Sequence, residues 1–214
     1  MELQKIFKNA DEKQNNLLTR VFGIFSEEII NCWLAYPDCE YKNLGRPSIY
    51  KKNERPSTLD FLFEKKKGTN KGALYIVEQK CLFSYNKGNL LCMTEKNLEH
   101  FEKWSTQKAK YSKAWKDFRE IHSYLKNEDV VIKWNGSTPE LVKKVVGNIL
   151  IWGKWMDNTK HADPKIDKII SIESIMNEMN EWDNLGVKSS GVSFKEFILS
   201  KKKLVNNMFN ELVK

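Results

Sequence analysis

Long apolar runs are missing from this chain, and so are the compact signatures that mark many enzyme classes. No stretch approaches the length of a membrane-spanning helix, so no membrane partner is expected. The opening MELQKIFKNADEK is mixed in charge and has no apolar core of the kind a secretory signal needs. A cytoplasmic, intracellular setting is therefore expected. There are four cysteines, Cys32, Cys39, Cys81 and Cys92. They form no Cys-x-x-Cys pair, and no histidine sits at zinc-ligand spacing from them, which excludes the common zinc modules. Cys81 and Cys92 fall in apolar strand-like runs and read as buried free thiols. The three histidines, His100, His122 and His161, are scattered. No Gly-x-x-x-x-Gly-Lys loop is present, so no nucleotide cofactor is expected. No dinucleotide fingerprint or nucleophile elbow appears either, and Ser189-Ser190-Gly191 reads as loop.

What is there is positive charge, a net +8 over 214 residues. That length fits one domain with a sizeable core. The charge favours a polyanionic partner, nucleic acid ahead of an anionic membrane.

The periodicity predicts a helix over residues 11–35, where Leu18, Val21, Phe22, Phe25, Ile29 and Cys32 form a stripe. Residues 36–57, punctuated by Pro37, Gly45, Pro47 and Pro56, read as loop. Strands are expected at 58–63, 73–85 and 89–93, as an antiparallel meander. A long helix should follow from Thr94, as cap, to about Leu125. Further strands are expected at 129–134, 145–152 (apolar and central) and 165–170. A short helix should open at Pro139. Helices are expected over 172–182 and from Phe194 onward, the last carrying Lys201, Lys202 and Lys203.

Residues 55–81, RPSTLDFLFEKKKGTNKGALYIVEQKC, carry the chemistry. Two apolar β-type runs flank a Lys/Gly-rich turn, and each is interrupted by acid, Asp60 in the first and Glu78 in the second. Charge inside such a run is costly to bury unless it is paired or holds a metal. Strand alternation puts Glu78 and Lys80 on one face with Leu74 and Ile76, and Tyr75, Val77, Gln79 and Cys81 on the other. Asp60 would join Glu78 if the hairpin register allows it. Hard carboxylate oxygens suit magnesium beside phosphate oxygens, and a neighbouring lysine can orient water or balance developing charge. With Leu18 at zero and about 100 degrees per residue, Glu28 falls near −80 degrees, at the edge of a stripe spanning roughly −60 to +40 degrees. Glu28 is thus a candidate further metal ligand, whereas Glu27 points to the opposite side.

This arrangement resembles the PD-(D/E)XK nuclease superfamily, with its motif acids on Asp60 and Glu78 and its lysine on Lys80. The expected order of helix, three-strand meander, helix and strand over residues 11–152 is similar to the superfamily core. The chain has Leu59-Asp60 where the motif has Pro-Asp. Gln107 and Tyr111, one helical turn apart, resemble the Gln-x-x-x-Tyr element of RecB-type nucleases.

The resemblance implies an α/β fold with a restriction endonuclease-like core, a mixed β-sheet flanked by helices. It implies one nuclease domain over residues 1–214, with a core at about 11–155 and an α-rich C-terminal extension at about 165–214. It implies a Mg2+-dependent endodeoxyribonuclease of restriction type, in which Mn2+ may substitute, acting as a homodimer on DNA. Asp60, Glu78 and Lys80 would be catalytic, and Asp60, Glu78 and Glu28 would hold metal. Gln79, Gln107, Lys108, Lys110 and Tyr111 would contact DNA. Two alternatives stay open: a repair or recombination nuclease (Holliday-junction or RecB-type), and a non-catalytic DNA-binding module that uses the basic helix and carries a dead or accidental acidic trio.

Overall fold

The computed structural model describes residues 12–80, 92–93, 109–155, 165–189, 191–201 and 203. Of residues 12–22, 92–93, 109–112 and 154–155 it describes the backbone alone. In chain order the elements are α1 (Glu12–Leu34), β1 (Tyr41–Asn43), β2 (Ser48–Lys51), β3 (Ser57–Thr58), β4 (Phe61–Lys65), β5 (Leu74–Lys80) and β6 (Cys92–Met93). They continue with α2 (Ala109–Arg119), α3 (Ile121–Tyr124), β7 (Val130–Lys133), α4 (Pro139–Val142), β8 (Val145–Trp152), β9 (Lys154–Trp155), β10 (Lys168–Ser171) and α5 (Ile172–Asn184). Residues 194–201 form a final described helix, α6.

A mixed five-stranded sheet in the order β1-β4-β5-β8-β10 forms the middle layer. β1, β4 and β5 run antiparallel as a meander, while β5, β8 and β10 run parallel. Both faces are covered. Phe61, Phe63, Val77, Ile149 and Ile151 meet Ile30 and Trp33 of α1 and Ile175 and Met179 of α5. Leu62, Leu74, Ile76, Leu150 and Trp152 meet Trp115 and Phe118 of α2, Ile121 of α3 and Ile132 of β7. A strand buried on both faces reads as a continuous apolar run, which is why VVGNILIW in β8 is legible. Its one polar interior residue, Asn148, donates to the carbonyls of Phe118 and Lys165, both at 2.8 Å, and accepts from the Asp167 amide at 3.0 Å.

A second sheet, β3-β2-β7, lies on the α2 side. It is pinned by a buried carboxylate. Asp117 of α2 is 0% exposed. It accepts from Lys51 Nζ at 2.7 Å, from Tyr124 Oη at 2.8 Å and from the Ser57 hydroxyl. Burial alone would raise its pKa, but the hydrogen bonds from Lys51, Ser57 and Tyr124 together hold it below the usual carboxylate range.

Several expectations are corrected. Residues 36–57 are not all loop, because β1 and β2 lie there, each paired to a strand distant in sequence. The predicted strand over 58–63 is two strands, β3 in the small sheet and β4 in the large one. The meander is β1-β4-β5, and Cys92–Met93 of the expected third strand pairs parallel with Lys154–Trp155 instead. The long helix breaks at Glu120, between α2 and α3. The strand and helix expected at 165–170 and 172–182 are present as β10 and α5; β10 joins the central sheet, and α5 and Phe194 pack into the core. This segment belongs to the same packing unit as the rest.

Breaking the Asp117 network leaves Lys51, Ser57 and Tyr124 without their shared acceptor. Asp117→Ala should lower unfolding free energy by about 3 kcal/mol or more at neutral pH. A carboxylate held low contributes stability above its unfolded pKa and loses it as pH falls through the folded one. The variant's stability, followed by urea unfolding, should therefore fall less steeply on acidification than the wild type's. A wild-type acid limb in the variant would overturn this account.

Candidate functional site

The chain leaves the small sheet at Thr58 and enters the large one at Phe61. Asp60 sits on the bend between them. The backbone is fixed there by Leu59 N–H donating to the Pro47 carbonyl at 2.9 Å and Leu62 N–H donating to the Gly45 carbonyl at 2.8 Å. The buried Leu59 side chain adds an apolar anchor. Phe61 pairs with Val77, so one more step of the ladder would set Asp60 opposite Glu78. Asp60 instead bends out, and its Oδ2 accepts the Gln79 amide at 2.8 Å. A side chain thereby replaces a backbone acceptor at the strand end. Asp60 is thus close beside Glu78, although it is not inside a strand as the sequence suggested.

Glu78 lies on the α2-facing side of β5, with Leu74 and Ile76, as alternation requires. It is 4% exposed. Its Oε1 accepts from Lys80 Nζ, and Lys80 also reaches the Gln79 carbonyl at 3.2 Å. Its Oε2 is buried without a hydrogen-bond partner among the described residues. Burial pushes the Glu78 pKa up, Lys80 opposes that, and the neighbouring Asp60 carboxylate raises it further. β5 and β8 are parallel here, with Glu78 beside Leu150 and Lys80 beside Trp152. The acids therefore sit toward the carboxyl ends of parallel strands, where open α/β sheets commonly bind ligands.

The structure brings Asp60, Glu78 and Lys80 together. Glu28 goes elsewhere: its carboxylate pairs with Lys201 Nζ of α6 at 2.8 Å. Glu27 is the helix acid nearer the pair. Arg46 Nη2 lies 3.2 Å from Asp60 Oδ1 and 3.9 Å from Glu27 Oε1. Burial raises the Glu27 pKa, Arg46 opposes that, and Asp60 adds to the rise. The helical wheel misassigned the two acids because the buried face of α1 runs through Ser26, Ile29, Ile30, Trp33 and Leu34. That face is turned by roughly 90 degrees from the stripe centred near Leu18. Ile30 and Leu34, at three and seven residues from Glu27, carried the signal.

Gln79 projects to the opposite face, where it is buried and its Nε2 donates to the Gly23 carbonyl of α1 at 3.3 Å. Lys110 and Tyr111 fall on α2, but their side chains lie outside the described residues, as do Gln107 and Lys108 entirely. Among the described residues, no three His, Cys, Asp or Glu side chains form a ready cation cage. Two hard carboxylates, one with an unpartnered buried oxygen, are nevertheless a donor set that fits magnesium.

A raised carboxylate pKa contributes stability below the unfolded pKa, and that stability is lost as pH rises through the folded value. Glu78→Gln should therefore melt higher than the wild type at neutral pH, by about 2–4 °C, and the gap should close on acidification. Calorimetry in EDTA checks this. A lower melting temperature at neutral pH would show that the Lys80 pair outweighs the burial of charge.

Comparison of the chain with protein-family models, with curated proteins and with solved structures finds no match.

Proposed function

We propose that this chain is a metal-dependent nuclease of the PD-(D/E)XK type, hydrolysing DNA phosphodiester bonds as a restriction-type endonuclease. The observation that carries the reading is Glu78, a nearly buried carboxylate with one oxygen unpartnered among the described residues, beside Asp60 and Lys80. The order of elements supports it. A helix precedes a three-strand meander, the acid precedes the second strand of that meander, and Glu-x-Lys ends the third. A helix and a parallel strand then follow. The net charge of +8 suits a polyanionic substrate.

In this reading Asp60 and Glu78 would hold magnesium, with manganese as a substitute. The bound ion would lower the pKa of a water and balance charge at phosphorus and the leaving oxygen. Asp60 is oriented for its part by the Gln79 amide, which fixes one oxygen and leaves the other to face outward. Lys80, carried two residues beyond Glu78 on the same face, would hold the attacking water by hydrogen bond and damp the developing negative charge. Cutting both strands would take two such sites, hence a homodimer.

The second reading is a non-catalytic DNA-binding module. It draws on the two ion pairs, Lys80 with Glu78 and Arg46 with Asp60, which neutralise both acids in the free protein.

Incubation of the purified chain with supercoiled, linear and branched DNA in magnesium, manganese or EDTA separates them. Discrete metal-dependent fragments are expected from the wild type. Asp60→Ala should lose cleavage by at least about a hundredfold, and Lys80→Ala by a similar factor, while both keep DNA binding in calcium. Cleavage by Asp60→Ala at the wild-type rate sinks the nuclease reading. Salt-sensitive binding without cleavage of any substrate favours the module.

A further inference from the structure

The side chain that caps Asp60 is Arg46, and its setting is unlike that of a structural ion pair. Its backbone is held on both sides, on the following one by Leu59 N–H donating to the Pro47 carbonyl at 2.9 Å. Leu44 N–H donates to the Leu62 carbonyl at 2.8 Å, and Leu62 N–H returns to the Gly45 carbonyl at 2.8 Å. Gly45 N–H donates to Asn43 Oδ1 at 2.8 Å. Gly45 itself adopts φ +110°, a left-handed conformation that glycine takes without a Cβ penalty. The Arg46 side chain beyond this fixed backbone is 57% exposed. It reaches Asp60 through one nitrogen, Nη2, and the same nitrogen is the one nearest Glu27. Its other donors have no partner among the described residues.

Such an exposed, single-point pair holds little energy, and salt screens it. Nor does Asp60 need Arg46 for its orientation, since the Gln79 amide binds the other oxygen. A guanidinium offers a planar fork that matches two phosphate oxygens at once, and this one leaves most of that fork unused.

We propose that Arg46 is a substrate-positioning residue: it rests on the Asp60 carboxylate in the free protein and grips a backbone phosphate of the bound strand once a divalent cation takes the acid pair. This rests on the nuclease reading of Asp60 and Glu78. Arg46 and a cation compete for Asp60 Oδ1, because two positive charges on one outward-facing oxygen repel. Displacement frees the guanidinium while its backbone stays in place, so the residue that shields Asp60 in the resting state becomes a contact for the polyanion beside it.

The test uses Mn2+ titration followed by electron paramagnetic resonance, and binding of a short DNA duplex in calcium across a salt series. Arg46→Ala should bind Mn2+ about three- to tenfold more tightly than the wild type, since the competing charge is gone. It should bind duplex about tenfold more weakly, with the slope of log affinity against log salt reduced by about one. Arg46→Lys should restore the slope but only part of the affinity, because it keeps the charge and loses the fork. Asp60→Asn should abolish the Mn2+ signal in either background. A structural role for Arg46 predicts the reverse, with Mn2+ affinity falling as Asp60 loosens. Weaker or unchanged Mn2+ binding, or an unchanged salt slope, in Arg46→Ala overturns the proposal while the nuclease reading stands. If wild-type Mn2+ binding is absent or indifferent to Asp60→Asn, both fall together.

Discussion

The parallel pairing of β5 with β8 is the constraint from which the rest follows. Parallel neighbours need a long crossover, and here it is the segment between residues 80 and 145 that carries α2 and α3. A parallel pair with apolar side chains on both faces must be covered on both faces. α1 and α5 cover one side, and α2, α3 and the small sheet cover the other. With the faces sealed, charge is tolerated at the strand ends. That is where Glu78 and Lys80 lie, where β4 begins, and where Asp60 turns out of the ladder.

The two buried acids among the described residues are treated in opposite ways. Asp117 is fully enclosed and surrounded by donors, so its charge is balanced and its pKa held low. Glu78 is nearly as enclosed, yet one oxygen is left without a donor and its pKa is pushed up by burial and by a second acid. A fold that can satisfy a carboxylate so completely at Asp117 has the means to do so elsewhere. The incomplete shell among the described residues sets Glu78 apart from Asp117. Buried polar atoms without partners are rare enough in folded proteins that each asks for a reason.

Much of this was legible in the sequence where the signal was local and strong. β8 shows as a long apolar run, α5 and the extent of α1 as helical periodicity, and the shared face of Glu78 and Lys80 as simple alternation. What escaped depended on partners far away in the chain. β1 and β2 have three and four residues and a single fully buried anchor each, Tyr41 and Ile49, so no local pattern marks them. The break at Leu59-Asp60 is invisible because both halves are strand-like, and only their pairing with different sheets separates them. The rotation of α1 was set by which residues the sheet and α5 cover. Trp33 and Tyr36, bonded to Glu178 and Asp183 at 2.8 Å each, fix it from outside the helix.

The hairpin joining β4 to β5 turns through Gly68, Asn70 and Gly72, all with positive φ, and its residues 67–71 are exposed. It closes at the end of the strands away from Asp60 and Glu78. The pairs Phe61–Val77, Leu62–Ile76 and Phe63–Tyr75, buried except for the half-buried Tyr75, hold the register between the two ends. The turn is therefore uncoupled from the acids, a place where residues can be inserted, a fluorophore attached or a surface tether fixed while the geometry at the other end of the ladder is kept.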